Sequence, residues 1–303
     1  MESCDWACFV RDVLALYAAP IRRPATMRKM RQVLGEFGEL CQGPTELTPL
    51  AIAQWIASHP ARRPETVCTL LRSLRAACAY GESRGLFPAN PFRFRSPSAW
   101  VDWDVEELPP PVHSAEEIAR VLARADEEAL AGDWRAARLR AVIYAFAFTG
   151  ARKKELLGLT VTDVDLVAGT IAIACNGRRS LKTRASAAHI PVPTPLASIL
   201  REWIPQCGST WLFPGVRRRG PWLEGPVGEK ALDQVKALGL RVGVPGLTFQ
   251  SFRHTFASLS EGWSIGELVL QRILRHSQIR TQRMYRHEMP EVLQAAAAKV
   301  HFP

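Results

Sequence analysis

The amino-acid sequence predicts a mainly α-helical protein in two domains, with a small antiparallel β-sheet set into the second. Three observations carry this. Apolar residues recur at the helical period through most of the 303 residues, between recognisable cap and stop signals. Strand-like alternation is confined to the neighbourhood of Asn176-Gly177, a dipeptide suited to a two-residue hairpin turn. A Pro-rich, acidic passage divides the chain, which is longer than one core usually serves.

The first domain, residues 1–96, reads as short amphipathic helices. Thr26 suits the N-cap of a helix over Met27–Phe37, and Thr48-Pro49 opens another, with proline where its missing N–H costs nothing. A longer helix is expected over Pro64–Ser83. Val67, Leu71, Leu74 and Cys78 share one face, Arg72 and Arg75 lie elsewhere, and Gly85 stops it. Residues 97–113 form the linker: acidic at Asp102, Asp104, Glu106 and Glu107, and closed by Pro109-Pro110-Pro111, which favours an extended spacer.

The second domain, residues 114–303, begins with a capping box, Ser114-Ala115-Glu116-Glu117. An apolar helix over Trp134–Phe148 ends at Thr149-Gly150. Strands follow at Thr170–Ala174 and His189–Val192, and Thr194-Pro195 restarts helix. After Pro290 a short helix over Glu291–Val300 closes the chain.

A net charge of +10 points to a polyanionic partner, nucleic acid being commonest. The excess is shared, since residues 1–100 and the remainder each carry +5. Arg22, Arg23, Arg28, Lys29 and Arg31 form one basic cluster and Arg217-Arg218-Arg219 another; each suits a nucleic-acid backbone or simply a solvated face. The seven cysteines show no metal-ligand spacing and read as thiols in a reducing cytoplasm. Acidic residues precede the first apolar stretch, the wrong order for a signal peptide, and no apolar run suffices to span a membrane.

Four groups stand out for chemistry. Arg152 lies in TGARKKELLGL, with Glu155 one turn on to hold its guanidinium. Arg253 lies in FQSFRHTFAS, and His276 precedes Tyr285 by nine residues in ILRHSQIRTQRMYRH. Arginine meets growing charge on phosphate with a planar fork that stays ionised. Singly, each is more often a surface or core residue. Together, in this order and spacing, they resemble the tyrosine recombinase (phage integrase) family across nearly the whole chain. Lys182, in LKTRASAAHIPVP, adds a match to the lysine which that family carries on a turn of a small sheet.

The resemblance implies an N-terminal helical core-binding domain and an α+β catalytic domain, and a site-specific recombinase acting without metal, cofactor or ATP. Tyr285 would attack the scissile phosphate to form a 3′-phosphotyrosyl bond, Arg152 and Arg253 would clamp it, His276 would hydrogen-bond it, and Lys182 would protonate the leaving 5′ oxygen. Its partner would be double-stranded DNA, bound as a homo-tetramer in the cytoplasm. The tail would dock on a neighbouring subunit or pack on its own domain, and no extra N-terminal arm-binding domain is expected. Two positions depart from the pattern. Gln250 stands where the family usually has histidine; it donates to phosphate but carries no charge. Arg275 stands where glycine usually ends a helix, and is expected to add a phosphate contact. Two other readings stay open: a catalytically impaired DNA-binding relative, and a type IB topoisomerase-like enzyme.

Overall fold

The computed structural model describes residues 5–17, 24–86, 90–103, 111–174, 188–217, 220–222, 230–275 and 295–302. The chain divides into two compact units, Met1–Leu108 and Pro109–Pro303. It is mainly helical with one small antiparallel sheet, as the hydrophobic periodicity predicts.

The first unit holds α1 (Trp6–Tyr17), α2 (Pro24–Gly38), α3 (Pro49–Ala57) and α4 (Pro64–Ser83) around Phe9, Leu34, Phe37, Trp55, Leu71 and Leu74. Thr48 caps α3 by accepting from Ala51 N. The four α4 residues expected on one face are all buried, while Arg72 and Arg75 are exposed. The expected start of α2 is corrected. Thr26 lies inside the first turn, because Pro24 begins the helix with a backbone already suited to that position. Glu36 ties α2 to the chain beyond α3, accepting 2.7 and 2.8 Å hydrogen bonds from Arg62 and one from Trp55 Nε1. Residues 97–100 form a short 3-10 turn in which Arg95 lies over the Trp100 ring and donates to Ala99 O.

The second unit is built around α6 (Trp134–Thr149), whose residues from Ala141 on are buried with the sole exception of Tyr144. A helix apolar all round belongs in the middle of a core, and α6 contacts α5 (Ala115–Leu130), α8 (Thr194–Cys207), α9 (Ala231–Arg241) and α10 (Phe249–Leu259). The Ser114 capping box opens α5. Arg138, also buried on α6, lies 3.6 Å from the Trp222 ring centroid and donates to Pro214 O. This anchors Pro214 and Trp222 to α6, by one charged hydrogen bond and by stacking.

After the short α7 (Lys153–Leu156) come β1 (Val164–Asp165), β2 (Thr170–Ile173) and β3 (Ala188–Pro191), antiparallel in the order β1-β2-β3. Ile171 pairs with both Val164 and Ile190, and Ile171, Ile173 and Ile190 face the core. The third strand thus begins one residue earlier than the sequence suggests. The expected Asn176-Gly177 turn lies outside the described residues.

Ahead of α5, His113 is buried; its N–H donates to Thr255 Oγ1 and its Nε2 lies 3.3 Å from Ser251 Oγ. α11 (Glu267–Leu274) follows α10. Of the closing segment, residues 295–298 are helical. Ala296 and Val300 join this unit's own core, and Phe302 sets its ring edge-on to Phe148 and Trp263. Among the described residues no helix is long and apolar enough to cross a membrane.

Candidate active site

Three helix ends meet at the site. α6 stops at Gly150, whose φ of +56° gives the left-handed turn that ends many helices. A β-carbon there would come within 2.9 Å of both the Phe256 ring and Leu274, so space as well as conformation demands glycine. The chain then turns into α7, with Arg152 as its N-cap. The third end is that of α11, where Arg275 takes the left-handed conformation at φ +53°.

Arg253 projects from α10 between two of these ends. Its Nη1 donates to Gly150 O at 2.8 Å and its Nη2 to Leu274 O at 2.5 Å. Both acceptors belong to helix C-termini, where carbonyls lack intrahelical donors and carry partial negative charge. Burial pushes the Arg253 pKa down to about 10, with the neighbouring charges of Arg152 and Arg275 acting in the same direction.

Glu155 organises the other two guanidiniums, and the sequence-based expectation that it holds Arg152 is met. Its Oε1 accepts from Arg152 Nη1 at 2.9 Å, and its Oε2 accepts from the Arg152 backbone N–H at 2.8 Å. Oε2 also accepts from Arg275 Nη2 at 2.6 Å. Burial raises the pKa of this carboxyl, but the Arg275 charge and the donors on it outweigh that and hold it below the usual range.

Arg275 therefore corrects an expectation. Its side chain is only 3% exposed and turns inward to Glu155, so it is not available as a surface phosphate contact. A buried cation needs a partner, and Glu155 is the carboxylate within reach.

The structure brings Arg152, Gln250 and Arg253 together on one cavity of about 540 Å³, which Lys153, Leu232, Thr248, Phe249 and His254 also line. Gln250 and His254, one turn apart on α10, approach at 3.2 Å between Nε2 atoms, a hydrogen bond whose direction follows the imidazole tautomer. The sequence reading missed Lys153, although it lies in the quoted arginine motif; its Nζ sits 5.6 Å from the Phe249 ring centroid. Leu232 gave no signal, since α9 reaches the cavity only through the tertiary fold. Lys182, His276 and Tyr285 lie outside the described residues. Among the described residues no cluster of three or more His, Cys, Asp or Glu side chains could hold a metal ion.

Beside this cavity two guanidiniums, those of Arg152 and Arg275, share the Glu155 carboxylate, while that of Arg253 is held by two main-chain carbonyls. Two guanidiniums lining one cavity, Arg152 and Arg253, have the charge and donor geometry that suit a tetrahedral oxyanion.

Comparison with known proteins places the chain. Tyrosine recombinase XerC of Xylella fastidiosa (strain 9a5c) is 34% identical over 157 residues, 50% of this chain and 48% of that protein. The chain thus spans about half the length of these first curated relatives. Tyrosine recombinase XerC of Mycobacterium tuberculosis (strain ATCC 25177 / H37Ra) is 25% identical over 268 residues, 84% of each chain. The fold resembles that in the crystal structure of a lambda integrase tetramer bound to a Holliday junction, with a TM-score of 0.69 and 16% identity over 92% of this chain and 79% of that one. The model of the phage integrase family matches residues 112–291, more than half of the sequence, and the chain belongs to that family.

Proposed function

We propose that this protein is a site-specific DNA recombinase that cuts and rejoins strands through a 3′-phosphotyrosyl intermediate. The observation that carries the reading is the convergence of Arg152, Gln250 and Arg253 on one cavity with an excess of positive charge. The Tyr285 oxygen attacks the scissile phosphorus, the bond to the 5′ oxygen breaks, and Lys182 supplies the proton that oxygen takes up. Arg152 and Arg253 hold the non-bridging oxygens, Gln250 donates a neutral hydrogen bond, and His276 donates another. The phosphotyrosyl bond keeps the energy of the broken ester, so rejoining to another strand needs neither ATP nor metal.

In this reading residues 114–303 are the catalytic domain and residues 1–96 a core-binding domain, joined through 97–113. Arg28, Lys29 and Arg31, exposed on α2, supply part of the core-binding domain's grip on the DNA backbone. Exchange between two duplexes requires four active sites, which a homo-tetramer on double-stranded DNA provides.

A nicked suicide substrate tests the reading. The wild type yields a covalent protein–DNA adduct, in EDTA as well as without it, whereas Tyr285→Phe yields none and keeps its DNA affinity. Adduct from Tyr285→Phe would remove Tyr285 as nucleophile, and loss of cleavage on chelation would indicate a metal-dependent nuclease. Strand exchange between two marked duplexes separates recombination from topoisomerase-like relaxation.

A further inference from the structure

Arg275 touches Arg152 by two routes. Its carbonyl accepts from Arg152 Nη2 at 3.1 Å, and its own guanidinium donates to the Glu155 oxygen that also accepts the Arg152 backbone N–H. The contacts close a ring, Arg152–Glu155–Arg275–Arg152, from residues about 120 positions apart in sequence. The Arg275 and Glu155 side chains are 3% and 6% exposed, whereas that of Arg152 is 34% exposed and lines the cavity. Two buried members of the ring thus hold the one that faces outward.

The backbone indicates that this arrangement has a use. Left-handed φ is unfavourable for a residue with a β-carbon and natural for glycine. Arginine at φ +53° also buries a charge. Both costs fall on one residue, and beyond a local hydrogen bond to Ile273 O its polar groups reach the cavity arginine and that arginine's carboxylate.

We propose that Arg275 is a positioning residue that fixes the Arg152 guanidinium against the phosphate-binding cavity through the ring it closes with Glu155. With Oε2 engaged by Arg275 and the Arg152 backbone, Glu155 presents Oε1 to Arg152 Nη1, and the carbonyl of residue 275 orients Nη2. The Arg152 donors that remain are then aimed in one direction before DNA arrives. Without the Arg275 side chain, Glu155 can rotate and draw the Arg152 fork onto both of its oxygens, away from the cavity.

The inference rests on the recombinase reading for its catalytic consequence, and two measurements keep the two apart. The first is the single-turnover rate of adduct formation for wild type, Arg275→Gly, Arg275→Lys, Glu155→Gln and the double variant Arg275→Gly/Glu155→Gln. Glycine suits the left-handed position, so Arg275→Gly relieves strain and keeps the fold. A displacement of Arg152 of about 1 Å would cost on the order of 100-fold in rate. Arg275→Gly is therefore expected to lose about 10- to 100-fold in rate while DNA affinity stays within about 3-fold, since most phosphate contacts lie elsewhere. Arg275→Lys, which keeps a charge for Glu155, recovers part of the rate. The double variant is no slower than the slower single variant, as for residues acting through one contact.

The loss in Arg275→Gly also deepens toward acid pH. Glu155 then lacks the Arg275 charge that helps hold its pKa down, and takes up a proton more readily. The second measurement is guanidinium NMR of the DNA-free protein, in which the Arg152 signals of the wild type show restricted rotation that Arg275→Gly releases. Wild-type rate in Arg275→Gly, or Arg152 signals unchanged by it, overturns the proposal. A wild type that forms no adduct overturns the recombinase reading instead, and the NMR comparison still decides the role of Arg275.

Discussion

Replacing Arg253 by methionine keeps the length of the side chain and removes its charge and donors, and the structure sets two opposing effects on stability. Carrying the charge is costly: a pKa pushed down from the usual arginine value to about 10 corresponds to about 3 kcal/mol. Removing the guanidinium recovers that cost but strips the donors from Gly150 O and Leu274 O, at about 1–3 kcal/mol for each buried carbonyl left unpaired. The two effects nearly cancel, so the folded protein changes by no more than about 2–3 kcal/mol in either direction. The transition state has no such compensation. Loss of a charged donor aimed at developing charge typically costs about 3–4 kcal/mol, or 10²–10³-fold in rate. Arg253→Met is therefore expected to retain its melting temperature within several degrees and bind duplex DNA nearly as tightly as the wild type. It is expected to form the covalent adduct at least about 100-fold more slowly in single-turnover assays on a nicked substrate. Adduct formation within a few fold of the wild-type rate would refute the reasoning, because Arg253 would then be a structural strut. Collapse of the fold would refute it differently, by showing that the carbonyl contacts outweigh the burial of charge.

Gln250→His is expected to speed adduct formation, because imidazole both donates to phosphate and moves a proton near neutral pH, a function typically worth ~10²–10⁴-fold when fully used. A rate unchanged or lower across the pH range would show that the Gln250–His254 pair already serves the site. His113 contributes to the pH dependence of stability. Burial lowers its pKa against the opposing pull of Glu117, so the unfolded chain binds the proton more readily than the folded one. Its contribution is fully present above the unfolded value near 6.5 and is lost as pH falls below that toward the depressed folded value. His113→Gln should flatten the fall in melting temperature on acidification through that window; an unchanged slope would exclude His113 as its source.

What the sequence made legible is local. The caps at Thr48 and Ser114, the stop at Gly150 and the apolar face of α4 each depend on residues within one or two turns, and each stands where local chemistry predicts it. The start of α2 is the local exception: Thr26 reads as its cap in the sequence, but the helix already begins at Pro24. The site was legible in part. Arg152, Glu155, Gln250 and Arg253 were chosen from motifs, and the fold gathers them. The direction of Arg275 was not legible, because it depends on a carboxylate 120 residues earlier that meets it only after α6, α10 and α11 pack together. The same holds for the two carbonyls on Arg253: nothing in the motif around it names Gly150 or Leu274 as acceptors.

Those two acceptors bear on how such a site withstands mutation. A side-chain partner can be lost in a single codon change, but a main-chain carbonyl is present whatever residue occupies the position. Leu274 can drift among apolar residues and still offer its oxygen to Arg253, provided α11 ends where it does. Gly150 cannot drift, and the reasons are its left-handed φ and the room taken by Phe256 and Leu274 rather than the hydrogen bond itself. Saturation mutagenesis should therefore find tolerance at position 274 and intolerance at 150, although both present the same kind of acceptor to the same arginine. An anion site tethered to helix ends in this way is inherited with the topology, and can persist while most of the surrounding sequence turns over.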